Sequence, residues 1–162
     1  SRRLFEIADT PEKLSVLSQE EIEKLIYPAG FYKTKAKRLK KTAEKLLLEY
    51  NGKVPDTIEE LLKIEGVGRK TANLVLGEAF KKDAICVDTH VHRISNRFGL
   101  IKTKTPYETE LDLEKILPKK YWIRYNTYLV AHGQSVCKPI SPFCSRCKIT
   151  EFCTRAGVGK SR

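Results

Sequence analysis

Three groups of residues have the types and spacing for chemistry: a lysine behind a glycine pair, an aspartate before a predicted helix, and four cysteines near the C-terminal end. The first is Lys70, in Leu61-Leu62-Lys63-Ile64-Glu65-Gly66-Val67-Gly68-Arg69-Lys70-Thr71-Ala72-Asn73. Two glycines around one apolar residue permit a tight turn, because glycine accepts positive φ. Val67 is expected to tuck between the flanking helices. Backbone N–H groups at the start of the second helix are then left for an anion such as phosphate, with Arg69 and Lys70 adding charge. An ordinary connection inside a helical core is the plainer reading of the turn. A lysine shielded from water at such a helix start can also attack as a neutral amine. In a chain with 31 lysines and arginines, a solvated phosphate contact is the plainer reading of Lys70.

Asp88, in Val87-Asp88-Thr89-His90, follows the apolar stretch Ala84-Ile85-Cys86. Aspartate caps helices well, so a structural role explains it. A carboxylate close to Lys70 would also assist proton transfer and stabilise positive charge developing on a sugar. The two roles are compatible. His90 and His92 have no ligand partner at a metal-binding spacing and are expected to be structural or solvent-facing.

Cys137, Cys144, Cys147 and Cys153 form the pattern C-x6-C-x2-C-x5-C. Four thiolates suit tetrahedral zinc or a [4Fe–4S] cluster. Zinc more often uses two close pairs. One close pair flanked by two outlying cysteines tilts the choice towards the cluster, with disulfides as the remaining reading. Lys138, Arg146 and Lys148 are interleaved with the cysteines and could meet phosphates from a loop held rigid. Cys86 stands apart and reads as a buried apolar residue.

The elements that must carry these groups are helical almost throughout. Ala36, Leu39, Ala43, Leu46, Leu47 and Tyr50 fall at three- and four-residue intervals and predict a helix over 33–50 with a lysine-rich outer face. Thr10-Pro11 and Ser18 read as helix starts, and Asp56 as the cap of a helix over 57–64. Further helices are expected over 69–80, from Asp88 towards Phe98, and after Pro106 and Pro118. No run alternates strictly, so strands are not expected. The tail beyond Pro139 is too irregular for ordinary helix.

Composition bounds the function. The chain has 162 residues, is 41% hydrophobic and carries a net charge of +11, which predicts attraction to polyanions. No apolar run approaches the roughly 20 residues needed to cross a bilayer. No leader is visible, so an intracellular location is expected. The sequence starts at Ser1 and contains no methionine, which suggests a fragment or a processed chain.

The segments Gly66–Asn73 and Val87-Asp88-Thr89-His90-Val91-His92-Arg93, followed by the cysteine pattern, closely resemble the endonuclease III family, the thymine-glycol glycosylases of base-excision repair. The resemblance runs in the same order over essentially the whole chain. It implies an all-α helix–hairpin–helix DNA glycosylase fold, with a helical-barrel domain at 1–83 lacking the family's first helices and an iron–sulfur cluster domain at 84–162. It implies that Lys70 attacks the deoxyribose C1′, expels the base and forms a Schiff base, after which β-elimination cuts 3′ to the site. Asp88 matches the catalytic aspartate. Cys137, Cys144, Cys147 and Cys153 match the ligands of a [4Fe–4S] cluster that is structural and positions DNA. The damaged nucleotide is flipped into a cleft between two helical domains. Phe31 falls where the family wedges a side chain into the duplex, although a core aromatic would also fit its sequence context.

The implied DNA-contacting residues are therefore Phe31, Glu65, Gly66, Val67, Gly68, Arg69, Thr71, Lys138, Arg146 and Lys148. The expected activity is removal of oxidised pyrimidines with apurinic/apyrimidinic lyase action. A monofunctional mismatch glycosylase and a non-catalytic DNA-binding fragment are the alternatives, and lysine at position 70 favours the bifunctional class. Glu65 departs from the family's usual proline, and its carboxylate is expected to face phosphate unfavourably. The partner is double-stranded DNA with a damaged base or abasic site, not a membrane, met by a monomer. The location is the cytoplasm or nucleoid of a prokaryote, or the nucleus or mitochondrion of a eukaryote.

Overall fold

Side-chain caps decide where most of the helices begin. The computed structural model describes residues 2–162; Ser1, the first residue of the expected N-terminal domain, lies outside them. Among the described residues every regular element is helical, and no helix is long and apolar enough to cross a membrane. The chain divides into two compact units that meet at Gly68 and Arg69.

The first unit holds α1 (Arg2–Ile7), α2 (Pro11–Val16), α3 (Gln19–Ile26), α4 (Tyr32–Tyr50) and α5 (Ile58–Leu62). Thr10 caps α2 ahead of Pro11, and Ser18 with Glu21 closes a reciprocal capping box on α3. The cap of α5 is Thr57 rather than the expected Asp56: its extended backbone lets the hydroxyl accept from the Glu60 N–H. The predicted stripe of α4 is real. Ala36, Ala43 and Leu46 are buried, and Leu4, Ala8 and Ile22 join Ala36 in one apolar cluster. Small alanines at these positions let α2 and α3 approach α4 closely.

The second unit holds α6 (Arg69–Glu78), α7 (Thr89–Phe98), α8 (Pro106–Ile116) and α9 (Trp122–Ser135), followed by a tail with short 3-10 turns at Cys144–Arg146 and Thr150–Phe152. Its core is Ile85, Val87, Val91, Ile94, Leu113, Trp122 and Leu129. Pro118 opens a 3-10 turn over Lys119–Tyr121, and α9 starts after it. The buried segment 84–87 is not helical, so its carbonyls need other partners. Asn73 Nδ2 donates to the Ile85 carbonyl at 3.1 Å and Asn126 Nδ2 to that of Cys86 at 3.0 Å. Asn73 and the contact of Gly77 with Ile123 bind α6 into this unit. The compact units consequently meet ahead of the boundary after residue 83 that the sequence suggests.

Gly133 on α9 is buried where α7 passes. A Cβ there would collide with the His90 ring and the Arg93 guanidinium. Gly133→Ala is therefore expected to cost about 1–3 kcal/mol by overpacking, seen as a lowered thermal unfolding midpoint. An unchanged midpoint would contradict the close approach of α7 and α9.

Candidate active site

The segment 84–87 delivers Asp88 to the start of α7 in an extended conformation. Asp88 Oδ1 accepts from the backbone N–H groups of His90 at 2.8 Å and Val91 at 2.9 Å. Both capping bonds fall on one oxygen. The other, Oδ2, lies 4.0 Å from Nζ of Lys70, the second residue of α6. Asp88 thus caps a helix and faces the lysine at once.

The pair is asymmetric in exposure: the Asp88 side chain is 10% exposed and that of Lys70 is 58%. Lys70 is thus largely open to water in the free chain, as in the plainer reading of it as a solvated lysine. Beneath it, the buried Cys86 thiol donates to the Lys70 carbonyl at 3.5 Å. Burial pushes that thiol's pKa up, with the Lys70 charge opposing. Cys86 thus occupies the apolar site expected for it.

Lys70 and Asp88 open into a cleft of about 470 Å³, which Arg69, Thr89, Tyr107 and Glu110 also line. A larger hollow of about 800 Å³ lies along the C-terminal half of α7, beside Lys102 and Gly157. It contains neither Lys70 nor Asp88, so size does not mark the chemistry here.

Arg69 does not present a bare charge. Its Nε donates to Glu110 Oε2 at 3.2 Å, and its Nη2 donates to Oε1 of the same carboxylate. Its guanidinium also lies 4.6 Å from the centre of the Tyr107 ring. The hydrogen bonds to Glu110 raise the Arg69 pKa above its ordinary value. The Glu110 side chain is 5% exposed, so this pair is one charge answered inside the fold.

The glycine turn divides its labour. Gly66 takes φ 87°, and a Cβ there would meet Arg38 Cδ at 2.9 Å. Gly68 has no positive φ and open space around it, so nothing in the free chain requires glycine there. Val67 is half-buried and lines an apolar groove with Leu4, Phe5 and Leu39 of its own unit. Its N–H is engaged by the Ile64 carbonyl at 3.0 Å. Glu65 does not stand unanswered: Lys41 Nζ is 2.8 Å from its carboxylate and holds its pKa below the usual carboxylate range. Thr71 is exposed on α6. Phe31 is no core aromatic; it is 87% exposed and sits at φ 55° at the N-cap of α4.

The four cysteines are free thiols that line one common cavity. Two arginines of α7 fasten their loop. Arg97, itself buried, donates to the Lys138 and Pro139 carbonyls at 2.7 Å each, and Arg93 donates to the Cys137 carbonyl at 2.9 Å. Donors also approach the sulfurs, Arg97 Nη1 to Cys137 Sγ at 3.5 Å and the Arg155 N–H to Cys153 Sγ at 3.4 Å. Thiolate-ligated centres use such donors, so the all-sulfur set fits a metal or cluster. Among the described residues no group of three or more His, Cys, Asp or Glu side chains stands at single-ion spacing. Around the same loop, Lys138, Arg146 and Arg162 surround the Phe143 ring, and Lys148 is exposed.

Glu110, Tyr107, Arg93 and Arg97 were not singled out by the sequence reading. For the arginines a signal exists: they stand four residues apart on α7, next to the apolar Val91 and Ile94. For Glu110 and Tyr107 there is none, because acidic and aromatic residues are ordinary in the first two turns of a helix. Removing the Glu110 carboxylate leaves a part-buried guanidinium unpaired. Glu110→Ala is expected to cost about 1–3 kcal/mol, below the range of a fully buried pair because Arg69 keeps some water. Urea unfolding checks this, and an unchanged midpoint would contradict it.

Residues 1–119 match the family model described as HhH-GPD superfamily base excision DNA repair protein. The chain is 48% identical to the endonuclease III of Thermotoga maritima, over 100% of this chain and 78% of that protein. It is 47% identical to the chloroplastic endonuclease III homolog 2 of Arabidopsis thaliana, over 91% of this chain and 40% of that one. Among solved structures, a trapped endonuclease III–DNA covalent intermediate aligns with TM-score 0.87 and 40% identity, covering 95% of this chain and 73% of that one. A thermostable thymine-DNA glycosylase aligns with TM-score 0.83 and 26% identity, covering 95% and 73% respectively. The chain belongs to the endonuclease III family, within the HhH-GPD superfamily of base-excision DNA repair proteins.

Proposed function

We propose that this chain removes oxidised pyrimidines from double-stranded DNA and then cuts the strand at the resulting abasic site. The observation that carries this is the 4.0 Å approach of Lys70 Nζ to Asp88 Oδ2 in an open cleft. A lysine amine is a nucleophile when neutral, and a neighbouring carboxylate stabilises the positive charge that grows on the sugar as the base departs. The Lys70 amine bonds to C1′, the C1′–base bond breaks, and the base leaves with its electron pair and takes up a proton. The C1′–O4′ bond then opens, O4′ taking up the proton that the lysine nitrogen gives up, and an iminium (Schiff base) forms; loss of a C2′ proton from it expels the 3′ phosphate with the C3′–O electron pair. Asp88 Oδ2 would hold charge or accept a proton, while the two capping bonds on Oδ1 keep the carboxylate in position.

Binding would rest on backbone and basic groups. The turn at 66–68 leads directly into α6, whose first turn holds no acidic residue. Gly68 leaves open space in which a phosphate can approach the backbone. Exposed Phe31, strained at positive φ, suits a wedge between bases. Lys138, Arg146 and Lys148 would meet phosphates from the cysteine loop, and the chain would act as a monomer inside the cell. Cys137, Cys144, Cys147 and Cys153 would hold a [4Fe–4S] cluster, which when bound shapes this loop and takes no part in base excision.

Lys70→Ala is expected to abolish nicking of abasic-site DNA, by at least about a thousandfold, while duplex binding measured by fluorescence anisotropy stays near wild type. A nicking variant would remove Lys70 from the chemistry. Base release without nicking by the wild-type chain would instead mark a monofunctional glycosylase. Binding without either reaction would mark a DNA-binding fragment. For the cluster, the purified chain is expected to be brown, with iron and acid-labile sulfide in equal amounts. A colourless zinc-containing chain would overturn that assignment.

A further inference from the structure

We propose that Tyr107 is the platform on which the displaced base rests, and so a specificity-determining residue of this site. This rests on the glycosylase reading above. Nucleophilic attack requires the sugar C1′ to reach Lys70 Nζ, and the base is bonded to that same carbon. Whatever accepts the base must therefore line the cleft that holds Lys70 and Asp88.

Tyr107 is the one aromatic residue among the described residues lining that cleft. Pro106 and the Thr105–Glu108 capping box fix it in the first turn of α8. Glu110, one turn on, is buried and clamps the Arg69 guanidinium with two hydrogen bonds. That guanidinium backs the ring at 4.6 Å. The ring is thus anchored by a cation that a buried carboxylate holds still, yet Tyr107 remains 50% exposed. An aromatic ring held in place costs little entropy when a flat partner stacks on it. The rest of the wall offers hydroxyls from Thr89 and Thr105, small apolar groups from Val87 and Pro106, and charged ends, but no second flat surface. The ligand class that fits Tyr107 is a planar base, here a pyrimidine that has kept its flat ring after oxidation.

Stacking matters for base release and is irrelevant once the base is gone, and this separates the inference from the reading beneath it. Two duplexes serve as probes, one carrying 5-hydroxyuracil and one carrying a preformed abasic site. Relative to abasic-site nicking, Tyr107→Ala is expected to lower excision of 5-hydroxyuracil about tenfold, in line with the loss of one base–aromatic stack. Tyr107→Phe keeps the ring and is expected to restore the wild-type ratio. An equal loss in both reactions would overturn the proposal and make Tyr107 a support for Arg69 and Lys70. An unchanged ratio in Tyr107→Ala, or failure of Tyr107→Phe to restore it, would overturn it as well. Failure of the wild-type chain to nick the abasic duplex would instead strike the glycosylase/lyase reading itself, and this inference with it.

Discussion

Two backbone N–H groups, those of His90 and Val91, hold Oδ1 of Asp88 and set the start of α7. Much of the second unit follows from that bond pair. It fixes the carboxylate against rotation, leaves Oδ2 towards Lys70, and sets the phase of every later residue of α7. In that phase Val91 and Ile94 face the core, while Arg93 and Arg97 reach the cysteine tail. One helix therefore links Asp88 at its N-cap with the thiol cavity at its last turn. Loss of the Asp88 cap would loosen both ends, although the two sites share no atom.

A net charge of +11 does not mean that every cation is available to a polyanion. Arg69 is bound to Glu110, and Lys41 answers Glu65. Arg93 and Arg97 hold carbonyls of the tail. Outward cations among the described residues include Lys70 and those of the cysteine loop, where Phe143 gathers Lys138, Arg146 and Arg162. The exposed Glu65 carboxylate is answered because Lys41 on α4 supplies the opposite charge.

Much of this was legible in the sequence, for physical reasons. Caps such as Thr10, Ser18 and Asp88 act over three residues, so helix starts can be read locally. The α4 stripe is periodic and reports its own buried face. The cysteine spacing is one that few structural roles share, whereas Lys70 and Asp88 each also admitted a plainer reading, as phosphate contact and as helix cap. What sequence could not supply was pairing across distance. Nothing local indicates that Glu110 seizes Arg69, forty-one positions away, or that Tyr107 lies on the same guanidinium. For Lys70 the sequence admitted both a solvated and a shielded amine, and what the fold leaves uncovered decides between them. The cap of α5 moved from Asp56 to Thr57, since both residue types can cap and only backbone geometry chooses between them.

The central claim is that the amine of Lys70, and no other of the chain's many lysines, bonds to the sugar. Reduction with borohydride during reaction on abasic-site DNA would freeze the Schiff base, and peptide mapping by mass spectrometry would locate it. The expected result is a single adduct on the peptide containing Lys70, absent when Asp88 and Lys70 are both replaced by alanine. An adduct on any other lysine, or none from a folded and DNA-binding chain, would contradict the account.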